Sequence, residues 1–279
     1  MYEPWPSPSS ASLSKDVPPG QYIELVASDK HVLRSFVIKP HDPPRAALVL
    51  LQEMDQRTPA WAQGRTASSA SLPGVNRHIR DMAKQYAAQG YLVVCPSTFG
   101  RGSSGKDYGY RFDAGHGRGV RIVKPLEPLA SAAQMLDIEA AVNFARQASP
   151  AARVGLVGYC WGGLLAWRAA ARWDSLQAVV SFYGGGMDSP QDRELSAKVP
   201  VQAHFSSGDA WMTAASVQAF AQAQLALAAT SGAQAPEIHH YQAPYGFAHP
   251  GRKSHQPAAA GLAHERSLEF LARHLVIEA

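Results

Sequence analysis

One short segment constrains the fold of this chain more than any other, because it joins an apolar run to a helix through closely spaced glycines. The segment reads Val154-Gly155-Leu156-Val157-Gly158-Tyr159-Cys160-Trp161-Gly162-Gly163. The pattern G-x-C-x-G after an apolar run predicts a strand, a strained turn that carries the cysteine, and a helix. The glycines two residues away from Cys160 lack side chains, so the turn can close. Such a turn exposes the sulfur at a helix N-terminus, whose partial positive charge favours a thiolate.

The expected chemistry of this turn is nucleophilic attack by Cys160, with the backbone N–H of Trp161 pointing into an oxyanion hole. The structural alternative is a buried, small apolar cysteine beside glycines that only let a helix pack. That alternative does not account for the strand, the spacing and the helix together. Cys95 ends another apolar run before Pro96, and we expect it to serve packing. Two cysteines are too few for a disulfide framework, and they have no partners at metal-ligand spacing.

Apolar strand-like runs alternate with helical segments along most of the chain, which predicts a mostly parallel sheet with helices on both faces. Strands are predicted at 22–27, 32–39, 46–52, 91–95, 153–157, 177–182, 201–205 and 237–241, and helices at 76–89, 128–147, 162–172, 213–229 and 258–274. Residues 1–20 contain five prolines and are expected to form an irregular arm. Residues 21–279 are expected to form a single domain, with a loop insertion at 54–73.

Charge and hydropathy exclude several function classes. The 26 basic and 22 acidic residues are scattered along the chain, so binding to nucleic acid is not expected. No apolar stretch approaches the roughly 20 residues that cross a bilayer, and the N-terminus lacks a signal-peptide pattern. We therefore expect a soluble, cytoplasmic protein without a membrane role. No metal and no organic cofactor are implied, and the oligomeric state stays open.

The wider chain resembles the dienelactone hydrolases (carboxymethylenebutenolidases) over about residues 21–275. Besides the glycine-flanked turn, the matching segments are Gln52-Glu53, Gly74-Val75-Asn76, Cys95-Pro96 through Arg101, Ser207-Gly208-Asp209 and the last helix. The resemblance implies the α/β-hydrolase fold, α/β with a mostly parallel central sheet and helices on both faces. It also implies hydrolysis of a small-molecule ester or enol lactone through a cysteine nucleophile.

The resemblance also assigns roles to individual residues. It places Glu53 where the family's glutamate touches the resting thiol, and Asp209 at the aspartate of the catalytic triad. Arg101 falls at the arginine that holds a substrate carboxylate, although Ser97 replaces the aspartate that the family carries nearby. The backbone N–H of Met54 is expected to be the second donor of the oxyanion hole.

One position departs from the family pattern, because Tyr245 stands where the catalytic histidine should be. A phenol with an ordinary pKa near 10 is a poor general base at neutral pH, whereas imidazole near 6.5 suits the task. Three explanations stay open. Hydrolysis is crippled; or His249 moves in as the base; or Glu53 takes the thiol proton while Tyr245 donates a hydrogen bond.

Structural alternatives exist for the other candidates as well. His249 could be a solvated loop residue, Asp209 could cap the helix near residue 213, and Glu53 could be a lone surface carboxylate. Arg101 could simply be solvated on its glycine-rich loop. Two other functions stay open: a non-hydrolytic small-molecule binding protein on a hydrolase scaffold, and a redox sensor in which Cys160 pairs with Cys95.

Overall fold

A computed structural model describes residues 17–53, 75–98, 128–149 and 153–276 of the chain. The predicted arm at 1–20 is described only from residue 17. The predicted insertion at 54–73, the oxyanion donor Met54 and the carboxylate-binding Arg101 lie outside these ranges. The division into an arm and one domain therefore stays a prediction.

Eight strands form one sheet in the order β1-β2-β4-β3-β5-β6-β7-β8. Their bounds are β1 Gln21–Val26, β2 Val32–Ile38, β3 Ala46–Leu51, β4 Tyr91–Pro96, β5 Val154–Tyr159, β6 Ala178–Phe182, β7 Val201–Gly208 and β8 Glu237–Pro244. The pairs β1/β2 and β2/β4 are antiparallel, and every pair from β4/β3 to β7/β8 is parallel. All residues of β3, β4, β5 and β6 are buried, as expected for parallel strands covered on both faces.

Helices cover both faces of this sheet. Within the described ranges they are α1 Arg77–Ala88, α2 Pro128–Ala148, α3 Trp161–Arg172, α4 Pro190–Arg193, α5 Ala214–Ser231 and α6 Pro257–Leu275. Apolar side chains of α2, α3 and α5 share one core cluster, whereas those of α1 and α6 belong to the other. The predicted α/β architecture is confirmed.

The sequence located the strands and long helices to within about three residues at each end. It missed α4, a single turn whose N-cap Ser189 accepts a hydrogen bond from the Asp192 backbone N–H at 3.2 Å. One turn is too short to show the periodicity of an amphipathic helix. The parallel strands β3, β5, β6, β7 and β8 all end at the same edge of the sheet, where ligands bind in α/β proteins.

Candidate active site

The predicted strand, tight turn and helix are present around Cys160. The residue lies between the end of β5 and the start of α3, with φ 55° and ψ −118°, a left-handed φ that is rare for a residue other than glycine. A Cβ atom on Gly158 would lie 2.0 Å from the Gly162 carbonyl oxygen, and one on Gly162 would lie 2.7 Å from the Gln52 carbonyl oxygen. The turn therefore closes only because both positions are glycine. We call residues 158–163 the elbow.

The Cys160 sulfur accepts a hydrogen bond from the Tyr245 hydroxyl. Tyr245 comes directly after β8, so it reaches the sulfur from the end of that strand. Within the part of the chain that the structure describes, no imidazole hydrogen-bonds to this sulfur. Tyr245 is thus a donor to Cys160, and its own pKa is raised well above the usual value by burial and by the neighbouring thiol. It does not act as a base toward the thiol.

Competing effects act on the Cys160 thiol. Burial raises its pKa, and the Glu53 carboxylate raises it further, whereas the Tyr245 hydrogen bond, the Arg252 charge and the Trp161 backbone N–H lower it. The net shift is upward. The backbone N–H at the helix N-terminus does favour the thiolate, but burial and the nearby carboxylate outweigh it.

Glu53 lies directly beyond β3 and is fully buried, so it is not a lone surface carboxylate. One carboxylate oxygen lies 3.2 Å from His249 Nε2, and the other lies 3.3 Å from an Arg252 guanidinium nitrogen. The Arg252 guanidinium offsets a charge that would otherwise be costly to bury. The structure thus places His249 against Glu53, and its side chain is 14% exposed, so it is not a solvated loop residue.

The tautomer of His249 follows from its hydrogen bonds. The backbone N–H of Gly251 donates to His249 Nδ1 at 2.9 Å. Because Nδ1 is an acceptor, the ring proton sits on Nε2, which faces Glu53. The Nε2 proton therefore faces the Glu53 carboxylate, 3.2 Å away, and with this proton in place Nε2 has no lone pair with which to take one from the thiol. In this arrangement His249 contacts Glu53.

His78 of α1 stacks on His249, with ring centroids 4.0 Å apart. Burial, followed by the charge of His249, lowers the pKa of His78 to about 3, so this ring is neutral at ordinary pH. The side chains of Glu53, His78 and His249 bring potential metal ligands within 4.8 Å of one another. However, a metal would need the lone pair of His249 Nε2, and the Arg252 guanidinium already occupies the second Glu53 oxygen. The contacts of this cluster are therefore an ion pair between Glu53 and Arg252, and a stack of two imidazole rings.

Asp209 lies in the turn that follows β7, close to the end of the strand as predicted. Its Oδ1 atom accepts hydrogen bonds from the backbone N–H groups of Trp211 at 2.7 Å and Met212 at 3.1 Å. The cap of α5 is Thr213, whose hydroxyl accepts from the Ser216 N–H at 3.2 Å, so Asp209 is not the helix cap. Its Oδ2 atom is buried and has no hydrogen-bond partner among the described residues. Burial raises the pKa of this carboxyl group.

Cys95 is fully buried in β4, and burial raises the pKa of its thiol. The packing role predicted for it is confirmed. Strand β3 lies between β4 and β5, which separates the two cysteine-bearing strands by about 10 Å. A disulfide needs Cα atoms within about 7 Å. An internal pair between Cys95 and Cys160 is therefore excluded in this fold.

Sequence reasoning missed three residues of this site: His78, Arg252 and Tyr183. Arg252 and His78 carried no signal, because their contacts with Glu53 and His249 depend on how a loop and a helix meet. Tyr183 directly follows β6, so the rule that ligands lie beyond the carboxyl ends of parallel strands could have identified it.

The fold, the elbow and the residues around it define the class of protein as an α/β hydrolase. Residues 70–275 match the model of the dienelactone hydrolase family, and the chain belongs to that family. It is a hydrolase.

Similar proteins agree with this assignment. The carboxymethylenebutenolidase of Pseudomonas putida is 28% identical over 255 residues, which are 90% of this chain and 95% of the relative. A crystal structure of a proposed dienelactone hydrolase from Klebsiella pneumoniae covers 92% of this chain and 100% of its own, with 23% identity and a TM-score of 0.70. The structure of an esterase of Pyrococcus furiosus covers 92% of this chain and 93% of its own, with 16% identity and a TM-score of 0.59. These two structures support the fold.

No helix in the described ranges is both long enough and apolar enough to cross a membrane.

Proposed function

We propose that this protein hydrolyses small esters or lactones through a covalent acyl-Cys160 intermediate, and that water releases the acyl group slowly. The observation that carries the proposal is the elbow, which presents the Cys160 sulfur with the Tyr245 hydroxyl hydrogen-bonded to it. The elbow supports attack on a carbonyl carbon. The phenol, in place of an imidazole, supports slow release.

In the acylation step, the Cys160 thiol loses its proton and the sulfur forms a bond to the carbonyl carbon. Glu53 is the proton acceptor in this account, because its charge acts directly on the thiol while Tyr245 is already a donor. The backbone N–H groups of Trp161 and Met54 hold the developing oxyanion. The C–O bond then breaks, and its electron pair leaves with the alcohol or enol oxygen.

In the release step, a water molecule must lose a proton as it attacks the acyl-thiol. A positioned general base contributes about 10²- to 10⁴-fold to such a step. Asp209 has a buried oxygen without a hydrogen-bond partner in the described part of the chain, at the position from which a triad aspartate orients an imidazole. Without that imidazole the acyl-Cys160 is expected to accumulate.

Substrates that bear a carboxylate are the preferred class in this proposal, with Arg101 as the binding residue. Arginine suits this role because its planar guanidinium binds a carboxylate through two hydrogen bonds. The cytoplasm is the expected compartment, since the two cysteines are free.

The test is a rapid-mixing experiment with para-nitrophenyl acetate, followed by intact-mass and peptide-mass measurement. The account predicts a burst of about one nitrophenolate per chain, slow turnover, and an acetyl group on Cys160. Cys160→Ala should abolish the burst, whereas Cys95→Ala, the matched control, should retain it. An acetyl group on Cys95, or the absence of any burst and adduct, would contradict the proposal.

The second candidate is a non-hydrolytic binding protein on the same scaffold. It is favoured by the phenol that contacts the nucleophile and by the unpartnered oxygen of Asp209. The same experiment separates the two functions, because a binding protein gives neither burst nor acetyl adduct.

A further inference from the structure

Tyr183 has a backbone conformation that most side chains avoid. It follows β6 with φ 39°, within the left-handed region that costs about 1–3 kcal/mol for a residue other than glycine. The surrounding structure holds it there, since its backbone N–H donates to the His204 carbonyl at 2.7 Å. Such strain persists where a side chain must be aimed in one direction.

Burial of the Tyr183 hydroxyl also lowers the stability of the folded protein. The side chain is fully buried, and its oxygen has no hydrogen-bond partner among the described residues. A buried hydroxyl without a partner costs about 1–3 kcal/mol. Phenylalanine would keep the ring contacts with Tyr245 and Phe247 without this cost. Among the described residues, the hydroxyl therefore makes no hydrogen bond that would stabilise the free protein.

Tyr183 is linked to the nucleophile through Tyr245. The Tyr183 ring packs edge-on against Tyr245 at 5.3 Å between centroids, and Tyr245 hydrogen-bonds to Cys160. Burial raises the pKa of Tyr183 well above its usual value, and the charges of Glu53 and Cys160 raise it further. Tyr183 therefore stays protonated and can act as a hydrogen-bond donor.

Sheet order decides which side of the nucleophile Tyr183 occupies. Strands β3 and β6 flank β5 on opposite sides. Glu53, which precedes the proposed oxyanion donor Met54, follows β3, whereas Tyr183 follows β6. The strand order therefore puts Tyr183 on the other side of β5 from Glu53, the side on which a donor to the departing group is expected.

We propose that the Tyr183 hydroxyl is a catalytic residue that hydrogen-bonds the leaving oxygen of the ester or lactone during acylation. The inference rests on the proposed function. As the sulfur–carbon bond forms, the carbon–oxygen bond breaks and its electron pair moves to the leaving oxygen. Tyr183 keeps its proton, so the oxygen leaves as an anion stabilised by this hydrogen bond. The substrate class is therefore esters and lactones of enols and phenols, whose oxyanions are stable enough to leave in this way.

The test measures the acylation rate of Tyr183→Phe with phenyl acetate and with its sulfur analogue, S-phenyl thioacetate. A hydrogen bond to a developing anion contributes about 1.5–3 kcal/mol, so the burst with phenyl acetate should slow by roughly 10- to 100-fold. Sulfur is a weak hydrogen-bond acceptor, and the thioester burst should stay nearly unchanged. The free energy of unfolding should stay the same or rise.

The matched control is Tyr241→Phe. Tyr241 is buried in β8, and its hydroxyl has partners, with His204 Nδ1 at 2.8 Å and an Arg266 nitrogen at 3.2 Å. Its loss should lower the free energy of unfolding and leave both bursts unchanged.

Equal slowing with both substrates, an unchanged phenyl acetate burst, or a destabilised Tyr183→Phe variant would each overturn the role of Tyr183. Failure of the proposed function looks different. In that case the unaltered chain gives no burst with either substrate, and the role of Tyr183 is rejected along with it.

Discussion

The elbow and the corner that should supply the base differ in how strongly the backbone constrains them. In the elbow, glycines leave no room for any other residue, since added Cβ atoms would lie 2.0 to 2.8 Å from backbone atoms. The corner consists of Tyr245, His249 and Arg252 on the segment after β8. There the critical position is one side chain, which can change from imidazole to phenol while the fold persists. Placement of a nucleophile is thus a property of the backbone, whereas activation of it depends on a single residue.

The same comparison separates the groups that act on Cys160. Glu53 lies within 3.3 Å of His249 and Arg252, and Tyr245 hydrogen-bonds to the sulfur. The corner therefore supplies hydrogen bonds and charge to Cys160, but no free imidazole nitrogen.

The strongest way to break the elbow is Gly158→Ala. The new Cβ would lie 2.0 Å from the Gly162 carbonyl oxygen, a backbone atom that cannot move aside. We expect the free energy of unfolding to fall by more than about 4 kcal/mol, measured by urea denaturation. Gly261→Ala in α6 is the control, because its Cβ meets nothing within 4 Å and should stabilise the helix by about 0.5–1 kcal/mol. Equal effects of the two substitutions would contradict the steric account.

The corner is tested by Glu53→Gln, which removes the carboxylate charge that Arg252 offsets. Breaking a buried pair costs about 3 kcal/mol, and the acylation burst should slow because the proton acceptor is lost. Glu237→Gln is the matched control. Its partner Arg273 lies at 2.7 Å, but the two side chains are 30% and 56% exposed, so its loss should cost less than about 1 kcal/mol. An unaffected burst in Glu53→Gln would remove Glu53 from proton transfer.

A smaller effect is expected from the pH dependence of stability. Burial holds the pKa of His78 at about 3 in the folded chain, against about 6.5 in the unfolded chain. As the pH falls from 6.5 toward 3, the unfolded state binds this proton first, so stability is lost by about 1.4 kcal/mol per pH unit. His78→Phe keeps a ring against His249. In this variant, the free energy of unfolding, measured by urea denaturation at a series of pH values, should fall less steeply below pH 6.5, by that amount per pH unit. Identical slopes would show that His78 is not buried as a neutral ring.

The sequence predicted the elbow because its information is local: a strand, two glycines at fixed spacing and a helix. It also predicted the neighbourhood of Asp209 and Glu53, since both follow buried parallel strands. The pairing of Glu53 with His249 and Arg252 could not be predicted, because it depends on how a loop folds against a distant strand end. The sequence also could not show that the Tyr183 hydroxyl lacks a hydrogen-bond partner among the described residues. Only three-dimensional packing shows which buried polar groups have partners.

The central claim is that this chain has a working nucleophile without its imidazole base, and ester turnover by Tyr245→His tests it most directly. Gly208 pairs with Pro244 in the sheet, so an imidazole at position 245 is expected to lie near both Cys160 and the Asp209 oxygen that has no partner among the described residues. The account predicts that steady-state turnover rises by about 10²- to 10⁴-fold, and that His249→Ala does not reverse the gain. Unchanged turnover in Tyr245→His, together with loss of activity when His249→Ala is made in the unaltered chain, would contradict the account and make His249 the base.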